Sequence, residues 1–203
     1  WKQGFMSMKE IAASSIKYGT TDRAVRFVLI VTGIQIFAVQ PLNMYWQPFF
    51  KEHTVKEQNL GYIFFGIKLM LVCGGFITTK LKGKVDEKSL ILNSQILVGV
   101  CVLAASLVTN LPLVIAFFLL HEMPRGCWDP LMSSYLQKHI PSNERATISS
   151  FCSIAPHIGG AFGLVVSGFI AQYFSTRASW IVSALALIVG AILVSRNGKN
   201  KAG

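Results

Sequence analysis

Four ionisable side chains fall together in the middle of an apolar stretch: His121, Glu122, Arg125 and Asp129. Glu122 and Arg125 are three apart, and Arg125 and Asp129 four apart, so on a helix each pair shares a face. Lys68 is a further charge inside a different apolar stretch. A charged residue at mid-bilayer costs about 2.5–3.5 kcal/mol on insertion scales, so Lys68, Glu122 and Arg125 left unpaired would cost roughly 8–10 kcal/mol together. They must meet one another, a watery cavity, or both. Two chemistries fit. One is a static salt-bridge network that locks helices together. The other is proton exchange, with Glu122 as a titratable carboxylate whose proton affinity is set by Lys68 and Arg125, and with His121 in the same stratum. His121-Glu122 also begins like the metalloprotease pattern His-Glu-x-x-His, but Arg125 occupies the place of the second zinc ligand. No catalytic residue, metal or cofactor is therefore expected.

A second polar group lies earlier. Gln35, Gln40, Asn43, Tyr45, Trp46 and Gln47 interrupt an otherwise apolar run, with Pro41 among them. Proline removes a backbone donor and is expected to kink the helix, which membrane helices tolerate beside a cavity. The amides at 35, 40 and 43 are the better cavity candidates. Tyr45, Trp46, Phe49 and Phe50 have an alternative place in an interfacial aromatic belt, a reading that fits Phe49 and Phe50 best. Further on, Gly159 and Gly163 form a small-xxx-small surface suited to close helix approach. His157 nearby reads either as a hydrogen-bonded structural residue or as a group titrating near neutral pH.

These residues need long apolar elements to hold them. The chain has 203 residues, of which 52% are hydrophobic and 14% charged. That is well short of the roughly 25% charged residues of a soluble domain. Runs of about 20 apolar residues predict six spans, at 24–49, 59–81, 88–109, 112–138, 144–173 and 178–195. Spans three and six carry no ionisable residue in their interiors, only Asn93 and Gln95 toward one end of span three, and read as lipid-facing scaffold.

The net charge of +10 would suggest nucleic acid in a soluble protein. Here the basic residues sit between the spans instead of forming a patch, and no nucleic-acid partner is expected. Lys2, Lys9, Lys17, Arg23 and Arg26 precede the first span, Lys80, Lys82, Lys84 and Lys88 follow the second, and Lys138 and Arg145 follow the fourth. Arg196, Lys199 and Lys201 close the chain, whereas the alternate loops are poorer in net positive charge. The positive-inside rule puts both termini in the cytoplasm. Phe5, Met8, Ala12 and Ile16 recur at helical spacing, so residues 1–23 read as an amphipathic cytoplasmic helix, 24–195 as the membrane domain and 196–203 as a tail. Cys73, Cys101, Cys127 and Cys152 all lie in apolar runs and read as small buried hydrophobes. The opening residues lack a secretory signal pattern, and a start at Trp1 suggests part of a longer protein.

The stretch Glu122-Met-Pro-Arg125-Gly126, with Pro130, Tyr135-Leu136, Ile140-Pro141, Arg145-Ala146-Thr147 and Ser150-Phe151, continues through Gly159-Gly160, Gly163-Leu164, Ser167-Gly168 and Ile170-Ala171. It resembles the tenth and eleventh helices of the major facilitator superfamily, and the resemblance extends over essentially the whole chain as helices seven to twelve. It implies an all-α half bundle whose first and fourth spans line a central cavity. It also implies that the second and fifth spans face an amino-terminal half, with the third and sixth outside. In one place the sequence departs from the family. The segment Gly75 to Lys84 keeps glycine and basic residues but lacks the acidic member of the gating motif expected after the second span.

The expectation is a multi-pass protein of the cytoplasmic membrane, a secondary transporter moving a small organic solute by alternating access. Proton-coupled efflux of amphipathic compounds leads, with Gln40, Asn43, Trp46, Arg125 and Trp128 against substrate and Glu122, Lys68 and His121 coupling protons. Its expected partners are the lipid bilayer, the amino-terminal half, the solute and protons. An uptake porter for a nutrient, organic anion or sugar, and a non-transporting scaffold, are the alternatives.

Overall fold

A computed structural model describes residues 21–53, 55–81, 83–142 and 145–199. The amphipathic segment expected at 1–20 and the last residues of the tail lie outside them. The described residues are helices joined by short turns, with no strand. They are α1 (Arg23–Glu52), α2 (Glu57–Leu81), α3 (Glu87–Leu107), α4 (Leu111–Leu120), α5 (Glu122–Gly126), α6 (Trp128–His139), α7 (Arg145–Cys152), α8 (Ile154–Tyr173) and α9 (Thr176–Lys199).

Side-chain oxygens fix where several of these begin. Asp22 accepts the amides of Ala24 and Val25 at 2.8 and 3.0 Å. Asp86 does the same for Ser89, and Asn110 for Leu113, each satisfying an orphan donor of a first turn. α1 stays helical through Pro41 and Pro48. Five helical stretches, Arg23–Glu52, Glu57–Leu81, Glu87–Leu107, Arg145–Tyr173 and Thr176–Arg196, are long and apolar enough to cross a membrane.

The fourth expected span, 112–138, is not one helix. It is divided into α4, α5 and α6 by turns at His121 and Cys127. Pro124 and Pro130 explain the division, because each lacks the N–H that would bond the carbonyl four residues back. Pro156 likewise follows shortly after the Ser153 turn that separates α7 from α8.

The helices form a curved ring: α2 packs on α5 and α4, α4 on α3, α3 on α9, α9 on α1, and α1 on α8. Glycines set the tightest crossings. A Cβ on Gly159 would strike the backbone of Gly33, and one on Gly163 the backbone of Phe37. The Phe37 carbonyl is the one that Pro41 leaves without its usual donor, so α8 covers it by close approach. Gly74 and Gly126 bring α2 against α5 in the same way, and the Cys127 thiol donates to the Gly74 carbonyl at 3.2 Å.

Two apolar cores result, one at each end. The first gathers Val25, Phe27, Ile91, Leu131, Tyr135 and Ile148, and the second Phe49, Phe50, Val102, Phe118, Trp180 and Leu187. Phe49 and Phe50 are thus in the second core and not in an interfacial belt: both are fully buried, ringed by Phe118 and Trp180. The first core's end also holds Glu87, which accepts from Ser134 and Lys138 at 2.8 Å each and ties α3 to α6.

Arg177 closes the other end. It donates to the carbonyls of Ser106 and Val108 at 3.0 and 2.7 Å, lies 3.2 Å from His53 Nε2, and sits over the Phe49 ring. α2 and α8 present broad apolar faces outward, with Tyr62, Phe65 and Phe76 on one and Phe162, Val165 and Phe169 on the other. α3 and α9 pack closely where Gly99 meets Ala184 and Leu187, and turn Leu97, Val100, Val189 and Leu193 outward.

Candidate functional site

A cleft of about 450 Å³ opens between α1, α2, α5 and α6. α1 contributes Gln35, Gln40 and Asn43, and the broken span contributes Arg125, Trp128 and Asp129. Ile36, Val39, Leu71 and Val72 supply apolar wall. Of the expected substrate residues, Gln40, Asn43, Arg125 and Trp128 therefore come together. Trp46 does not line this cleft: it is buried, stacked between Phe64 and Phe118 at centroid distances of 6.5 and 6.4 Å. Its position on α1 is in phase with Ala38, Leu42 and Phe49, the stripe that packs into the second core.

Glu122 does not line the cleft itself but pairs with Arg125, which does. It is 2% exposed, and Arg125 Nη1 straddles its two oxygens at 2.8 and 3.0 Å. His121, fully buried, pairs Nδ1 with the Phe118 carbonyl. A carbonyl only accepts, so Nδ1 carries a proton, and Nε2 is left without a hydrogen-bond partner among the described residues. Nε2 stands 3.4 Å from Glu122 Oε1, near enough for charge to act but without a hydrogen bond between them. One proton added to either atom would join them.

Lys68 is not part of this group. The packing face of α2 is Leu60, Ile63, Ile67, Gly74 and Thr78, and Lys68 lies beside that face, exposed, with Nζ 4.9 Å from the Phe64 ring centroid. It reaches Glu122 only through space. Arg125 and Asp129 are not paired either, because the Cys127 turn falls between them and breaks the four-residue register. His157 is exposed on α8.

Gln35 is more prominent than its sequence position suggests: 2% exposed, on the cleft, with no hydrogen-bond donor to its Oε1 among the described residues. Gln40 fills the space that Gly160 leaves by lacking a Cβ. Arg177 has no role in the cleft, yet it carries the densest polar contacts at its end of the bundle. Its one signal in the sequence is its solitude in a loop without another charge.

Long apolar helices around a polar cleft, with a buried ion pair in a helix broken by proline, define a multi-pass membrane transport protein. A family model described as Major Facilitator Superfamily matches residues 27–201. The chain belongs to that superfamily, whose members are transporters and not enzymes. It is 28% identical over 195 residues to an uncharacterized MFS-type transporter, YxaM, of Bacillus subtilis (strain 168), covering 91% of this chain and 46% of that protein. It is 25% identical over 149 residues to the multidrug efflux protein YfmO of the same organism, covering 72% of this chain and 37% of that protein. The chain thus spans less than half the length of these curated relatives.

Proposed function

We propose that this chain is the carboxy-terminal half of a secondary transporter of the cytoplasmic membrane, which exports amphipathic organic solutes in exchange for protons. The observation that carries the reading is the buried Glu122, held by Arg125 of the cleft wall, with His121 Nε2 beside it and without a hydrogen-bond partner among the described residues. A carboxylate in that setting has two states. Ionised, it binds Arg125. Protonated, it turns its O–H toward His121 Nε2 and releases the guanidinium toward the cleft. The proton thereby changes what the cleft presents to solute, which is the coupling an exchanger needs.

The apolar wall between polar ends suits an amphipathic solute, and the likeness to a multidrug efflux protein supports export. An organic-anion uptake porter is less favoured, because Arg125 reaches the cleft already neutralised by Glu122.

The test is proton release on solute addition by the whole transporter in detergent, wild type against Glu122→Gln. Release driven by amphipathic solutes and lost in Glu122→Gln is the expected result. Absent release, or release unchanged in the variant, makes Glu122 a structural partner of Arg125 and removes the coupling.

A further inference from the structure

The charges lining the cleft do not cancel. Arg125 Nη1 is engaged by both oxygens of Glu122, so this pair presents no net charge while Glu122 is ionised. Asp129 lines the same cleft, is exposed, and among the described residues has no hydrogen bond or ion pair. It lies in the first turn of α6, which suits a carboxylate, and among the α6 residues that line the cleft, Trp128, Asp129 and Pro130, it is the one that carries a charge. The second observation is independent of it. Gln35 Oε1 is an acceptor buried on the cleft wall of α1 with no donor among the described residues. A buried acceptor without a donor is costly, and a ligand N–H relieves it.

Asp129 supplies a negative charge from α6 and Gln35 a neutral acceptor from α1, in a cleft with apolar walls. We infer that the cleft selects organic cations that carry N–H donors, with Asp129 as the counter-ion and Gln35 as the hydrogen-bond acceptor. This assignment rests on the transporter reading above and adds the substrate's charge to it. The two carboxylates then have different roles. Glu122, behind Arg125, takes the proton, and Asp129, in front of it, meets the solute.

The test is equilibrium binding to the purified whole transporter of two fluorescent aromatic probes, the cation ethidium and the neutral N-phenyl-1-naphthylamine. Wild type should bind both. Asp129→Asn should weaken ethidium about tenfold or more, as loss of a charged partner does, and leave the neutral probe within about twofold. The neutral probe also reports that the variant is folded. Asp129→Glu should restore ethidium binding, and Gln35→Leu should weaken it about threefold to tenfold. If Asp129→Asn leaves ethidium unchanged, or weakens both probes alike, Asp129 does not select charge and the inference falls. Wild type binding the neutral probe alone overturns the cation assignment and spares the transporter reading. Binding of neither probe removes both.

Discussion

Two arginines divide this molecule between them. Arg177, in the first turn of α9 at one end of the bundle, reaches the carbonyls of Ser106 and Val108 and His53, and so stitches the end of α3 and the α1–α2 connection to α9. Arg125, at mid-height, gives its Nη1 to a single carboxylate. The donors are chemically identical, and the acceptors decide what each arginine can do. A backbone carbonyl has no second protonation state in the physiological range, so the carbonyl contacts of Arg177 hold regardless of protons. A carboxylate has one, so the grip of Arg125 can be released. Rigidity and switching here come from the same side chain with different partners.

The strongest way to break the comparison is Arg125→Ala. It leaves Glu122 buried without its partner, which should cost about 3–5 kcal/mol and show as loss of folded protein in thermal unfolding followed by size-exclusion chromatography. Adding Glu122→Gln to that variant should recover most of the loss. If the single and double variants are equally stable, the pair is not a buried ion pair and the contrast with Arg177 disappears.

Arg177→Ala should cost less, about 2–3 kcal/mol, because it strips a charged donor from two carbonyls. It should leave proton release per solute unchanged, since nothing it touches faces the cleft. Arg177→Lys should recover only part of the stability: an ammonium can serve the two carbonyls, but it has no second nitrogen for His53 and no planar face to lay on Phe49. A change in proton release would make the two ends of the molecule one system.

Asp86, the α3 cap at the edge of the membrane, sets the small end of the scale. Asp86→Ala should cost about 1 kcal/mol. The Ser89 amide bonded to its carboxylate holds the pKa of Asp86 below the ordinary aspartate value. A depressed folded pKa means that the contribution is complete above the unfolded pKa of about 3.9. It fades as pH falls through the lower folded value. The melting difference between wild type and Asp86→Ala should therefore be flat near neutrality and shrink below about pH 4.

The spans are legible in the sequence because a run of about 20 apolar residues has few other homes. The close α1–α8 seam is legible too, since Gly159 and Gly163 recur at the spacing that puts both on one face. The breaks in the fourth span are less so. Pro124, Gly126 and Pro130 are visible, but hydropathy reads through a broken helix as through a straight one. Placement around a helix is harder still. Gln40 and Trp46 are both amphipathic residues of α1, and only the packing of Phe64 and Phe118 draws Trp46 out of the cleft. Lys68 illustrates the same limit: its apolar neighbours reveal depth but not which side of α2 it occupies. Arg177 escapes notice as a stitch because its acceptors are backbone atoms, which leave no mark in sequence.

The glycine seam has a mechanical consequence. Helices slide past one another by re-seating the side chains between them, and that layer acts as the bearing of a shear motion. Where Gly159 and Gly163 rest on the backbone of α1, there is no such layer. α1 and α8 therefore meet backbone to backbone, and any side chain larger than glycine at 159 or 163 acts as a wedge that pushes the wall carrying Gln35, Gln40 and Asn43 away from α8.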